Sequence, residues 1–550
     1  MTHPRGARVL VTALLLGACT QAPRYDVVLS GGTVVDGTGA PGVVADVAIA
    51  GDSIVAIGPA LDTRRTSTVV DARGQVVAPG FWDNHAHLVT LDSFPLAENF
   101  IRQGITTILA PQHSQDQPFP LDGYMARVRM APNVGMFAGH TWMRKRVMGL
   151  ANRRPTPAEL AWMMALVDSS MQQGALGLAT GLEYTPAAYA EPDEIVALAR
   201  RAAAYGGVYV THMRDEGARV MESVQQTLDV GRQAGIPVQI NHLKVTGAAQ
   251  WGRSSRILEL IDSAAATGAE VAFDLYPYDA YSTYSDLMFP AWALADGPAA
   301  FARRTANAAT RSRLVREMRD LFPKQTGPGP ETIRFREVPA HPELAGLTLA
   351  DHLTRLGQPR TIPAAVEALI ALQLDGGFTG VFTGMDEVDI ERFIRHPRAM
   401  FESDGDLVSP GTGYPHPRSY GSFPRVLARY VRERKTLTLP GAVHRMTQLP
   451  AAWLAQSDRG TLAPGRVADV VVFNPATIVD RAQYTDPHHY AEGVVHVLVN
   501  GTFVLRAGVM TGAKPGQFLA RMRGTIRIGG TPPSGSDRRF TMNSRTVRSP

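Results

Sequence analysis

A chain of 550 residues with 45% apolar and 19% charged residues can bury a large core, which excludes wholesale disorder and a polytopic membrane protein. The net charge of +5 invites a nucleic-acid reading, but from Arg521 onward the tail carries seven Arg against one Asp, so the remainder is near neutral. No nucleic-acid-binding motif accompanies that tail, and no nucleic-acid partner is expected.

The chain opens with Arg5 and Arg8, an apolar run from Val9 to Leu16, then Gly17 and Ala18 before Cys19, the only cysteine. One cysteine allows no internal disulfide. A basic start, a short apolar stretch and small residues describe a secretory signal over residues 1–19, too short to span a bilayer. Leu16-Gly17-Ala18-Cys19 resembles a bacterial lipobox, in which the cysteine becomes the lipidated first residue of the mature protein. That resemblance implies a membrane partner through lipidated Cys19, at about 0.8 kcal/mol per buried methylene. It places the protein in the bacterial cell envelope, and Thr20 rather than Asp after the cysteine points to the outer membrane, facing the periplasm. An ordinary signal peptide that contains a cysteine is the other reading.

Residues 24–78 read as short strands broken by Gly turns: Asp26 to Leu29, Thr33 to Val35, Val47 to Ile49 and Ile54 to Ile57. The same texture returns over 458–516, where Asn500-Gly501 between two apolar runs is a hairpin signal. Two β-rich ends around a different middle predict one small, discontinuous β-sandwich domain. Between them, residues 79–457 alternate apolar β-type runs with Ala/Leu/Arg-rich helical stretches about eight times. The fold class is therefore α/β, a (β/α)8 TIM-like barrel plus the β-sandwich domain. A doubly wound open sheet is the alternative. Ala300 to Glu337 looks inserted, giving a segment at about 285–345, and Gly380 to Thr383 looks like one strand too many. Residues 517–550 form a basic, solvated tail.

A barrel carries its active site at the C-terminal ends of its strands. Those ends are polar here: His85-Ala86-His87, His140, His212, Asn241-His242 with Lys244, Tyr276 with Tyr278, and Ser403-Asp404. Two His one residue apart on a strand point the same way, and imidazole is the commonest ligand for zinc-type metals. A lone His is usually a core or surface residue. An alternating pair joined by two more strand-end His and a strand-end Asp points to a metal site.

The motifs then run in one order: Pro79-Gly80-Phe81 before the His pair, Gln103 to Thr107, Thr180 to Tyr184, Gly207 to Glu216, His242 to Val245, Tyr276-Pro277-Tyr278, Ser403-Asp404-Gly405, and His416-Pro417-Arg418 with Gly421 to Arg425. Together they resemble the amidohydrolase superfamily, and within it the N-acyl-D-amino-acid deacylase (D-aminoacylase) family, from about Tyr25 to Phe518. The resemblance implies that His85, His87, His212, His242 and Asp404 bind zinc. It implies attack by metal-bound hydroxide on the amide of an N-acyl amino acid, the small-molecule partner, with Asp404 as the catalytic acid–base. Arg418 would grip the substrate carboxylate with its planar fork, and Lys244, Tyr184, Tyr276 and Ser282 would line the same pocket. Each has a plainer reading: barrel-wall aromatics for Tyr276 and Tyr278, a loop salt bridge for Arg418. Arg214, Asp215 and Glu216 read as a polar network under the site.

One stretch departs from the family. D-aminoacylases carry a metal-ligating Cys after the Gly-Ile-Thr-Thr strand, and here that stretch continues Ile108-Leu109-Ala110-Pro111-Gln112-His113-Ser114. His113 falls at or next to that place, but a neutral imidazole bridges two cations poorly. One zinc ion is therefore expected, and a second is left open. Another amidohydrolase activity, a cyclic amidase or a dipeptidase-like hydrolase, is the alternative within enzymes. A non-catalytic, lipid-anchored binding protein is the alternative outside them, though such a protein has no need of Asp404 as a base.

Overall fold

The computed structural model describes residues 25–110 and 117–520. Cys19 with the signal, His113, and the basic tail beyond residue 520 lie outside the described residues.

The two chain ends meet in one sheet. Strand Tyr25–Val34 pairs antiparallel with Val43–Ala50 and parallel with Thr66–Asp71 and Val76–Pro79. Val76–Pro79 then pairs antiparallel with Val470–Phe473 from the far end of the chain, which continues into Val494–Val499 and Thr502–Arg506. Alternate residues Val27, Leu29, Val47, Ile49, Val470 and Val472 face one apolar core, as a period of two requires. Asn500 and Gly501 both take positive φ in the tight turn between the last two of those strands. A Cβ on Gly501 would lie 2.0 Å from the Gly51 carbonyl oxygen, so only glycine fits there.

A buried polar knot joins this β domain to the middle of the chain. Asp469 accepts from Arg459 Nη1 at 2.5 Å, Asn133 Nδ2 at 3.0 Å and the Asn500 backbone N–H at 2.8 Å. Asp469→Ala leaves a buried guanidinium without its anion and should lower stability by about 3–5 kcal/mol. Denaturant unfolding checks this, and a loss below about 1 kcal/mol would contradict it.

The middle forms a ring of eight parallel strand segments. In order they are Phe81–Asp83 with Ala86–His87, Ile105–Ala110, Asn133–Met136 with Ala138–Gly139, Gly177–Gly181, Val208–His212, Val238–Ile240, Val271–Leu275, and Ala399–Phe401 with Gly405–Asp406. Each pairs with the next, and the ring closes where Gly405 and Asp406 pair with Ala86 and His87. That closure decides against the open sheet. At Gly177 a Cβ would lie 1.9 Å from the Val208 oxygen, so the close strand approach needs glycine. Outer helices follow the strands. Pro157–Gln172 starts with a capping box between Thr156 and Glu159, and Val220–Ala234 ends at Gly235 in the left-handed region.

Between the seventh and eighth ring segments the pattern changes. Ala280–Tyr284 and Ile333–Glu337 flank Thr379–Thr383 in a separate antiparallel sheet, with helix Leu349–Arg355 packed against Ile333–Glu337. The strand that was surplus to the barrel count belongs here. The departure from the barrel pattern is thus wider than 285–345. It lies at the C-terminal mouth of the ring, because it follows the end of strand Val271–Leu275.

Candidate active site

The structure gathers His85, His87, His212, His242 and Asp404 at the mouth of the ring. His87 Nε2 lies 2.9 Å and His85 Nε2 lies 3.5 Å from Asp404 Oδ1. His212 Nδ1 lies 3.1 Å from His242 Nε2, and the His85 and His242 rings are 4.9 Å apart between centroids. Two local devices produce this convergence. His242 and Asp404 both sit just past strand ends at positive φ, +38° and +46°, which swings each side chain inward. The Asp404 backbone N–H then donates to the His85 carbonyl at 2.9 Å.

Carboxylates set the far side of the imidazoles. His212 Nε2 meets Glu183 at 2.8 Å, and His242 Nδ1 meets Glu216 at 2.9 Å. The Glu183 contact favours a proton on His212 Nε2, whereas His242 Nδ1 also accepts from Lys244 Nζ at 2.7 Å, and His212 Nδ1 faces His242 Nε2. Glu216 also accepts from Lys244 Nζ at 2.7 Å. It is close enough to His212 and His242 to reach a shared ion, but Lys244 already occupies one of its oxygens. A deeper layer supports the loops: Asp83 accepts from the Ser403 hydroxyl at 2.5 Å, and Asp274 accepts from the His242 backbone N–H and from Gln239.

Of the predicted substrate residues, Tyr184, Ser282 and Arg418 line a cavity of about 480 Å³ over this cluster, with His87, His242 and Asp404 also in its wall. Arg418, only 2% exposed, forms an ion pair at 2.8 Å with Asp404 Oδ2. Its guanidinium lies over the Tyr276 ring at 4.7 Å and its Nη2 donates to the Ser282 carbonyl at 3.3 Å. Tyr184 packs 4.6 Å from the His212 ring and shares a hydrogen bond with Thr283. Lys244 stands behind, against Glu216. His140 does not join the cluster: its ring bonds Glu194 at 2.8 Å, and Arg144 pairs with the same carboxylate.

A family model described as "Amidohydrolase family" matches residues 68–505. The chain belongs to the amidohydrolase family. A D-aminoacylase of Alcaligenes xylosoxydans xylosoxydans is 35% identical over 527 residues, covering 90% of this chain and 98% of the relative. A solved N-acyl-D-glutamate deacylase from Bordetella bronchiseptica, complexed with zinc and a phosphonate inhibitor that mimics the tetrahedral intermediate, superposes with a TM-score of 0.77 at 33% identity. A D-aminoacylase solved in a study of its binuclear metal centre gives 0.76 at 33%. Each superposition covers 90% of this chain and 100% of the other.

The electrostatics of this amidohydrolase follow from burial. Removal from water pushes His85 and His242 well below the ordinary imidazole value and His212 down to about 4, so all three are neutral at pH 7, the form that binds a metal. Burial opposes charge on Asp404 too, but adjacent Arg418 and His242 outweigh it and hold its carboxyl well below the usual range. Burial also opposes charge on His87, but the hydrogen bond and charge of Asp404 outweigh it and move that imidazole upward. In the metal-free protein His87 therefore keeps its proton to higher pH than a free imidazole does. A metal has to displace that proton, so affinity should fall as pH drops through the raised value. Zinc titration at about pH 6 and about pH 8 should show weaker binding, with more proton release, at the lower value. Equal affinities would contradict this assignment.

Glu183, Asp83, Asp274, Arg336 and Asp406 escaped the reading of the sequence. Glu183 carried a signal, since it lies in the Thr180 to Tyr184 run at a strand end. Arg336 carried none: it arrives from the separate sheet, some sixty residues from any ring strand.

Proposed function

We propose that this amidohydrolase hydrolyses the amide bond of N-acyl amino acids, with the D series preferred, releasing a carboxylate and a free amino acid. The observation that carries this reading is Asp404. One oxygen faces the His pair and the other faces the buried guanidinium of Arg418, so a base, a metal-ligand set and an anion grip share one cavity. The donors are imidazole and carboxylate, and those of His85, His242 and Asp404 lie within 4.8 Å of one another, which fits zinc. Zinc bound there would lower the pKa of a coordinated water to about 7 and polarise the amide carbonyl.

The chain's own residues supply the rest. Arg418 binds the substrate carboxylate through its fork, exchanging part of its pairing with Asp404 for the ligand. Asp404 takes the nucleophile's proton and delivers it to the leaving nitrogen. Tyr184 walls the pocket beside His212, and the Tyr276 ring shields the face of Arg418 from water. The relatives named for D-amino-acid substrates support the D preference. One tight zinc accords with the missing thiolate, and His212, Glu216 and His242 form a second group whose donor atoms lie within 4.8 Å of one another.

Anchoring in the bacterial envelope through lipidated Cys19 belongs to the same proposal and is supported by the sequence from Arg5 to Cys19. Metabolic labelling with a fatty-acid analogue should mark the wild-type protein and not Cys19→Ser. For the activity, N-acetyl D- and L-amino acids should be offered to the zinc-loaded protein lacking residues 1–19. Release of free D-amino acid is expected to exceed release of the L form. Equal turnover of both series would remove the stereochemical claim.

A further inference from the structure

The separate sheet brings a second guanidinium to the cavity. Strand Ile333–Glu337 sets Phe335 opposite Gly380 and Glu337 opposite Thr379, so Arg336 is the extra residue of a β-bulge. A bulge breaks the alternation of a strand and re-aims the side chain at that point. Arg336 accordingly lines the cavity with Ser282, Asp404 and Arg418. Its Nη2 pairs with Asp406 Oδ2 at 2.7 Å, on the segment that closes the ring beside His87. Its Nη1 donates to Ser282 Oγ at 2.8 Å, and its buried Nε has no partner among the described residues. Ser282 is thus gripped twice, at its hydroxyl by Arg336 and at its carbonyl by Arg418.

A hydroxyl has one proton to give and two lone pairs to offer. With Arg336 donating into a lone pair, the Ser282 proton must point to another acceptor, and no protein acceptor takes it among the described residues. We propose that Arg336 is a positioning residue for substrate recognition, holding the Ser282 hydroxyl as a donor to the substrate's carboxylate beside the fork of Arg418. Asp406 keeps Arg336 in register, so the separate sheet helps to select an anionic end group. This inference rests on the N-acyl amino acid reading and sharpens it: the free carboxylate is the feature selected.

The test compares an N-acyl amino acid with its carboxamide, which lacks the charge. Arg336→Met should raise KM for the acid about ten- to a hundredfold, the range of a charge-assisted hydrogen bond, with kcat within about twofold. The carboxamide should change less than about twofold in kcat/KM, and Arg336→Lys should recover part of the loss. Ser282→Ala removes the acceptor while keeping the Arg336–Asp406 pair, so it carries the test if Arg336→Met does not fold. Ser282→Ala should reproduce the selective loss, and the double variant should add little to either single one. Equal losses on acid and amide, a loss confined to kcat, or fully additive variants would overturn the role of Arg336. Wild-type protein that turns over neither compound would overturn the deacylase reading, and this inference with it.

Discussion

Asp404→Asn should lower kcat about 10³- to 10⁴-fold, at the upper end of what one positioned acid–base contributes. The amide keeps an oxygen that can face His85 and His87 and keeps the side-chain volume, but it cannot accept and return a proton at neutral pH. It also ends the ion pair with Arg418, so substrate carboxylate meets less competition for that guanidinium. KM is therefore expected to stay level or fall. Metal analysis must accompany the kinetics, because Asp404 is also a ligand candidate. A variant that retains zinc and loses turnover supports proton transfer, whereas one that retains both zinc and turnover excludes it.

Arg418→Met should reduce kcat/KM about 30- to 1,000-fold, the cost of removing one partner from a buried charge pair. Two effects combine. The substrate carboxylate loses its fork, which raises KM. Asp404 loses the neighbour that most favours its charged form, so its pKa rises from the depressed value. The sign follows directly: a base with a higher pKa loses its charge at higher pH. The acidic limb of the kcat/KM profile should therefore shift upward in Arg418→Met. An unchanged profile with an unchanged KM would show that Arg418 acts only as a loop salt bridge. Arg418→Lys should recover charge but not the fork, and so should restore the pH profile better than KM.

The ring strands and the candidate ligand set were legible in the sequence for one shared reason. Strand periodicity puts His85 and His87 on one side, and short apolar runs ending in polar residues mark where each ring strand stops. His212 follows the same logic, as the last residue of Val208–His212. His242 and Asp404 were found through their motifs, but the backbone turns that aim them were not. Both need positive φ at a non-glycine residue, a conformation that the local sequence does not announce and that hydrogen bonds from distant strands hold in place.

The Asp404 turn is tied by its backbone N–H to the His85 carbonyl, and the His242 turn by its own N–H to Asp274. These are long-range bonds that no local pattern encodes. The same holds for the carboxylates behind the imidazoles. Glu216 reads from the sequence as part of a polar network under the site, but its place against His242, like that of Glu183 against His212, is set only when the ring closes. Arg336 depends on a bulge, and a bulge depends on the register of two strands more than forty residues apart in the chain. His140 also ends a ring strand but stands outside the expected ligand set, and Glu194 and Arg144 enclose it in a separate buried ion network.

The central claim is a zinc-dependent deacylase built on the His pair, and one titration tests it most directly. Protein lacking residues 1–19 is stripped by a chelator, zinc is returned in steps, and release of free amino acid from an N-acetyl-D-amino acid is followed beside bound metal. Turnover should be absent in the stripped protein and rise in proportion to the first equivalent of zinc bound, and His85→Ala should abolish that rise. Zinc-loaded wild-type protein that releases no amino acid, or stripped protein as active as loaded, would contradict the account.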